Sequence, residues 1–194
     1  MNIGVLALQG DFEEHAAVLR SLGVSPVLVT RPEQLESLHG LVIPGGESTT
    51  MTRLIRVEGL EAPLRQLKER GVPVFGTCAG IILMARALAE PDDRVITFGF
   101  LDIVVARNAY GRQRESFETT LKVQGIGAVK AVFIRAPRVV QVGTGVEVLA
   151  EHEGDPVLVR QGPFLGATFH PEVVPTPEIH QLFLDLVRSS APIG

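Results

Sequence analysis

Val72-Pro73-Val74-Phe75-Gly76-Thr77-Cys78-Ala79-Gly80 opens the stretch that decides the fold. Its short apolar run predicts a buried strand over 72–75, and the apolar run behind it predicts a helix over 79–88. Only Gly76, Thr77 and Cys78 lie between the two. A strand that turns so abruptly into a helix lifts the intervening side chain above the sheet and aims the next backbone N–H at the same space. Gly76 and Gly80 flank the cysteine at two-residue spacing, where a Cβ would obstruct a tight backbone passage. A helix start also favours the thiolate, which is the nucleophilic form. A lone cysteine is more commonly a small buried hydrophobe. The turn around Cys78 makes it a candidate nucleophile for acyl transfer.

Outward from this turn, the first half alternates strand and helix signals. Strands are predicted over 3–8, 27–30 and 41–43, with helices over 12–22 and around 50–70. Uninterrupted Val, Ile and Leu runs between helices read as parallel strands covered on both faces. The second half is richer in strands: 99–106, 117–123, 131–134, 139–142, 146–151, 156–160 and 164–168. Gly and Pro punctuate these segments, which predicts hairpins added to the edge or end of the main sheet. A last helix is signalled by Thr176 as N-cap, Pro177 in its first turn, and Ile179, Leu182, Phe183, Leu186 and Val187 along one face. The expected fold is α/β: three layers, with a central mostly parallel sheet flanked by helices and extra antiparallel strands in the C-terminal half. Residues 1–194 carry no internal repeat and no flexible linker, and are read as one domain.

Composition narrows the function. A net charge of -4 with no acidic or basic block argues against a nucleic-acid footprint. The apolar start at 3–8 has no basic segment before it, and no apolar run is long enough to span a bilayer. A single cysteine cannot close an internal disulfide or build a cysteine metal cluster. The expectation is a cytoplasmic protein with no membrane contact, no metal and no cofactor.

Two further strings supply chemistry. Phe169-His170-Pro171-Glu172 follows the strand over 164–168 and so lies at a strand end, where loops of α/β sheets carry chemistry. Glu172 can reach back to one imidazole nitrogen of His170 while the other faces the thiol, fixing the tautomer and stabilising imidazolium. Leu41-Val42-Ile43-Pro44-Gly45-Gly46-Glu47-Ser48-Thr49-Thr50 runs from a strand through paired glycines to a helix. It reads either as a turn with Ser48 or Thr49 capping that helix, or as an oxyanion loop whose N–H groups join that of Ala79. It lacks the lysine of a phosphate-binding loop.

With these strings the chain resembles the class I glutamine amidotransferases, and among them the glutaminase subunits of pyridoxal 5'-phosphate synthase. The opening Ile3-Gly4-Val5-Leu6-Ala7-Leu8-Gln9-Gly10-Asp11-Phe12, continuing to Glu14-His15, is similar to those subunits. So are Pro44-Gly45-Gly46-Glu47-Ser48-Thr49-Thr50, Asn108-Ala109-Tyr110-Gly111-Arg112-Gln113 with Ser116-Phe117, and Ile134-Arg135-Ala136-Pro137. The resemblance implies a flavodoxin-like amidotransferase fold and a Cys78, His170, Glu172 triad that hydrolyses L-glutamine to glutamate and ammonia through a glutamyl thioester. It implies oxyanion N–H groups from Gly46 and Ala79, and substrate contacts from Gly46, Glu47, Ser48, Arg107, Ile134 and Arg135. Arg107 and Arg135 are candidates for the substrate carboxylate, and Glu47 for its ammonium.

The same resemblance implies a (β/α)8-barrel synthase partner, in an assembly of twelve plus twelve, that combines ammonia with ribose 5-phosphate and glyceraldehyde 3-phosphate. Gln9, Gly10, Asp11 and Phe12 would face that partner. Three other readings remain at this point. They are an amidotransferase subunit of another pathway, such as histidine or guanine nucleotide synthesis, a γ-glutamyl peptide hydrolase, and a non-enzymatic α/β regulatory module.

Overall fold

The computed structural model describes residues 1–107, 116–174 and 176–190. Four fully buried apolar strands form its centre: β1 (Ile3–Leu6), β3 (Gly40–Ile43), β4 (Val74–Thr77) and β12 (Phe164–Ala167). Together with β2 (Val27–Val29) they run parallel, and β11 (Asp155–Gln161) and β10 (Glu147–His152) extend the sheet antiparallel beyond β12. The resulting order is β10-β11-β12-β4-β3-β1-β2.

Because successive side chains point to opposite faces, each central strand feeds two cores. Leu41, Ile43 and Val74 join one, packed under α2 (Ser48–Val57), α3 (Glu61–Glu69) and α4 (Ala79–Met84). Ile3, Val5, Val42 and Phe75 join the other, under α1 (Phe12–Ser21) and α5 (Glu178–Ser189). Apolar burial on both faces is what makes these strands continuous rather than alternating in sequence. The expected α/β architecture, with a mostly parallel sheet flanked by helices, is what the chain adopts.

Several elements depart from expectation. The helix expected over 79–88 stops at Met84, and β5 (Ala85–Leu88) follows, pairing parallel with β6 (Leu101–Ala106). An apolar run looks alike as buried helix or buried strand. Here the N–H of Phe98 donates to the Leu83 carbonyl at 2.7 Å, and Arg86 pairs with Asp102 of β6 at 2.7 Å, so pairing partners choose the strand. The stretch expected to be helical over 50–70 is two helices, broken where Gly59 takes φ +68. A 3-10 turn at Pro32–Leu35 was not expected.

Thr176 is not the N-cap of α5. That place falls to Pro177, with no side-chain cap, and the Thr176 hydroxyl turns back to the Val174 carbonyl. Among the described residues of the second half, β12 joins the main sheet beside β4, and β11 and β10 extend it. A three-stranded sheet joins β5, β6 and β9 (Arg138–Val142), and β7 (Ser116–Val123) pairs with β8 (Gly127–Ile134) as a separate hairpin.

The chain leaves β1, β3, β4 and β12 at the same sheet edge, carrying Gln9–Asp11, Gly45–Ser48, Cys78 and His170–Glu172 respectively. Such carboxyl ends are where open α/β sheets place their ligands.

Candidate active site

Cys78 sits at φ 50, ψ -108, a left-handed conformation that L residues with a side chain rarely adopt. The surrounding packing imposes it. A Cβ on Gly76 would lie 2.7 Å from the Gly80 carbonyl carbon, and a Cβ on Gly80 would lie 2.1 Å from the Ile43 carbonyl oxygen. β4, α4 and β3 thus touch backbone to backbone, and the chain can pass only by turning sharply at residue 78. The Cys78 N–H is held by the Ala167 carbonyl at 3.0 Å, and the thiol faces the Ile134 carbonyl at 3.9 Å.

His170 follows β12, and its own N–H is tied to the Val132 carbonyl at 2.8 Å. Its Nδ1 lies 2.6 Å from Glu172 Oε1 and 3.4 Å from Asp11 Oδ2. Carboxylates only accept, so Nδ1 carries the proton and Nε2 is the nitrogen left for the Cys78 thiol, which lines the same cleft. Burial works against a charged His170. Hydrogen bonds with Asp11, Cys78 and Glu172 outweigh it and raise the imidazole well above its ordinary range. Burial also raises the Glu172 carboxyl, and the neighbouring His170 offsets part of that. The two groups behave as one coupled pair sharing a short N–H···O bond. Asp11, His170 and Glu172 present donor atoms within 4.8 Å of one another. Nδ1–H has no lone pair to give a metal, so the cluster as built serves a proton.

The glycine loop is clamped from the side by the β1–α1 turn. Gly10, at φ +90, packs so closely that a Cβ would lie 1.8 Å from the Gly45 carbonyl oxygen. The Asp11 N–H donates to that oxygen at 3.1 Å, and the Glu47 N–H donates to Gln9 Oε1 at 2.8 Å. A Cβ on Gly45 would strike His170 Cε1 at 2.7 Å, so the loop lies directly against the catalytic candidate. Gln9 and Asp11, expected at a partner surface, therefore also touch the loop and His170. Phe12 is half-buried, with part of its ring packed against the core.

Glu47 is the N-cap of α2, in place of the expected Ser48 or Thr49. Its carboxylate accepts from the Thr49 N–H at 3.1 Å, from the Thr50 N–H and hydroxyl at 2.8 Å each, and from the Thr49 hydroxyl. A small burial cost is outweighed by these bonds, which hold the carboxyl down to about 2. The expected role as acceptor for a substrate ammonium competes with this cap. Because the folded-state value lies below the unfolded one, the cap's contribution is full above about pH 5 and fades as the pH falls from 4.5 towards 2. Glu47→Ala should lower the melting temperature by about 2 °C at neutral pH, with the difference closing near pH 2. Melts of both proteins across that range measure it.

Gln9, Asp11, Gly46, Glu47, Ser48, Cys78, Ala79, Arg107, Ile134, Arg135 and His170 line one cleft of about 380 Å³. Every residue expected from sequence to act on a substrate is in it except Glu172, which lies beneath His170. Arg107 donates to Ser48 Oγ at 3.3 Å and is paired with Asp92, while Arg135 takes φ 42. Asp92, which also accepts from its neighbour Arg94, had no sequence signal for its contact with the cleft, because Arg107 lies 15 positions away. Asn108–Gln113, which contributed to the resemblance, lies outside the described residues.

A family model described as "SNO glutamine amidotransferase family" matches residues 5–189. The "Pyridoxal 5'-phosphate synthase subunit PdxT" of Thermotoga neapolitana is 48% identical over 97% of this chain and 100% of its own length. The protein of the same name from Mycobacteroides abscessus is 52% identical over 96% of this chain and 97% of its own. A solved structure described as "Crystal structure of glutamine amidotransferase" superposes with a TM-score of 0.92 at 48% identity, over 96% of this chain and 98% of that one. With so much of each chain matched, and a cysteine, a histidine and a carboxylate gathered at one sheet edge, the chain belongs to the SNO glutamine amidotransferase family.

Proposed function

We propose that this chain is the glutaminase subunit of a pyridoxal 5'-phosphate synthase, and that the whole of it works as one amidotransferase domain. The observation that carries the chemistry is the place of His170, in one cleft with Cys78 and joined to Glu172 with an Nδ1–Oε1 distance of 2.6 Å. Cys78 Sγ attacks the side-chain amide carbon of L-glutamine. The carbonyl oxygen, gaining charge, turns towards the N–H groups of Gly46 and Ala79. His170 takes up the thiol proton and returns one to the departing nitrogen, which leaves as ammonia. Water then adds to the glutamyl thioester with His170 as base, and collapse releases glutamate and the thiol. Glu172 holds the ring and stabilises its charged form throughout.

Ser48, Arg107, Ile134 and Arg135 line the cleft beside Cys78 and contact the rest of the substrate, the arginines suiting its carboxylate. Glu47, already spent on its cap, contributes more readily through its backbone.

Free ammonia in water is protonated and lost, so the reaction calls for a partner that receives it. That partner is a (β/α)8-barrel synthase subunit, in an assembly of twelve plus twelve, which joins ammonia to ribose 5-phosphate and glyceraldehyde 3-phosphate. The partly exposed Gln9-Gly10-Asp11 turn touches both the solvent and the glycine loop, and is the surface through which docking reaches the site.

The deciding experiment supplies a barrel synthase with either ammonium or glutamine, together with this chain or its Cys78→Ala variant. Ammonium should support product formation with both. Glutamine should do so only with the intact cysteine. A confirmed complex that makes no product from glutamine would reassign the chain to another acceptor pathway.

A further inference from the structure

Beneath the triad lies a second pair of titratable groups that the mechanism above does not use. His15 on α1 and His180 on α5 have no exposed surface, and His15 Nδ1 lies 2.8 Å from His180 Nε2. The other nitrogen of His15, Nε2, lies 3.0 Å from Thr77 Oγ1 and 3.4 Å from Glu172 Oε2. That carboxylate oxygen is buried and has no aligned hydrogen bond, and His180 Nδ1 at the far end of the chain also lacks one. Phe75 closes the space, meeting both imidazoles edge-on. Packing alone would be served as well by apolar side chains, without the desolvation cost of two imidazoles.

Proton placement can be derived from these contacts. Burial, reinforced by the charges of His180 and His170, lowers His15 well below its ordinary value, and burial lowers His180 to about 4, so both rings are neutral at pH 7. Two arrangements then remain. If His15 carried its proton on Nδ1, its Nε2 lone pair would face the Glu172 carboxylate, and His180 would bury an unpartnered Nδ1–H. If His15 carries it on Nε2, that N–H meets Thr77 Oγ1 at 3.0 Å and lies beside Glu172 Oε2 at 3.4 Å. His180 Nε2–H donates to His15 Nδ1, and the unpartnered atom is a bare acceptor. The second arrangement avoids one repulsion and one buried orphan donor.

We propose that His15, locked as its Nε2–H tautomer by His180, is a positioning residue of the glutaminase reaction that holds the outer oxygen of Glu172. Glu172 then has a histidine beside each oxygen, with His170 bonded to Oε1 in front and His15 Nε2 at 3.4 Å from Oε2 behind. The proposal rests on the function proposed above for its catalytic consequence, and on geometry alone for the pairing. The groups facing Glu172 are His170 and Asp11 on the cleft side, and His15 and Thr77 from α1 and β4. Among these, His15 brings a ring nitrogen to within 3.4 Å of Oε2. Without it the carboxylate loses stabilisation and takes up a proton at higher pH, so the acid limb of catalysis moves up.

The test uses the full chain. In ¹⁵N spectra of the wild type, His15 and His180 should both show protonated Nε2, bare Nδ1 and no titration between about pH 5.5 and 8. The Glu172 carboxyl carbon, followed by ¹³C, should titrate about one pH unit higher in His15→Phe, and return to near the wild-type value in His15→Gln, whose amide restores a donor. With the synthase present, the acid limb of kcat/KM for glutamine should shift by the same amount while KM stays unchanged, since His15 does not line the cleft.

A loss of activity that is equal at every pH, with an unmoved Glu172 titration, would reduce His15 to packing and overturn the proposal. So would a proton on His15 Nδ1 in the wild type. That wild-type spectrum decides the matter even if His15→Phe does not fold. Both NMR results in a protein with no glutaminase activity would overturn the function and leave the pairing standing.

Discussion

Cys78→Ala should release no ammonia from glutamine above background, a loss of about 10⁴-fold or more, because no other group in the cleft can form the thioester. The fold should survive. The substitution removes one sulfur atom from a site that is 8% exposed, and alanine meets the same positive φ that cysteine already tolerates. Binding of glutamine should persist, and docking to the synthase should be untouched, since the thiol points at the Ile134 carbonyl and not outward. The chain has a single cysteine, so alkylation of the wild type gives an independent check. One equivalent of iodoacetamide should abolish hydrolysis in step with labelling. Ammonia release by a clean Cys78→Ala preparation would end the covalent mechanism.

Gly80→Ala should be nearly as damaging without touching a reacting atom. The new methyl carbon would lie 2.1 Å from the Ile43 carbonyl oxygen and 3.3 Å from that of Pro44, both of them backbone atoms that no rotamer change can move aside. Helix α4 would have to lift away from β3. That costs about 3 kcal/mol of stability and displaces the Cys78 turn relative to the Gly45-Gly46 loop. A displacement of about 1 Å between nucleophile and oxyanion donors is enough for a hundredfold loss in kcat. Thermal melts and glutaminase assays on the same preparation should therefore fall together. Unchanged stability and activity would mean that the close passage between α4 and β3 is not rigid.

The α/β class was readable from sequence because burying a strand on both faces leaves only one kind of record, an unbroken Val/Ile/Leu run between helices. The Gly76-to-Gly80 turn was readable for a similar reason, since residues two apart report a local steric demand. His170 and Glu172 were legible as a pair because they are neighbours in the chain. By contrast, the boundary at Met84 was not, because Ala85–Leu88 becomes a strand only through β6, which lies beyond it in sequence. The cap of α2 was misplaced on a smaller scale: Ser48 or Thr49 was expected, and the backbone turn into the helix gives the place to Glu47, whose carboxylate accepts from Thr49 and Thr50.

What the sequence determined by itself was therefore encoded within a few residues: strand periodicity, the sharp turn at Cys78, the His170–Glu172 spacing and the glycine loop. Only the tertiary structure brought Asp11 to His170, Gln9 to Glu47, Asp92 to Arg107, and the buried His15–His180 pair to the back of Glu172. These contacts join residues from 15 to 165 positions apart. No local pattern can specify such distances. They exist because parallel strands deliver their carboxyl ends to one edge, and the helices between them set which side chains meet there.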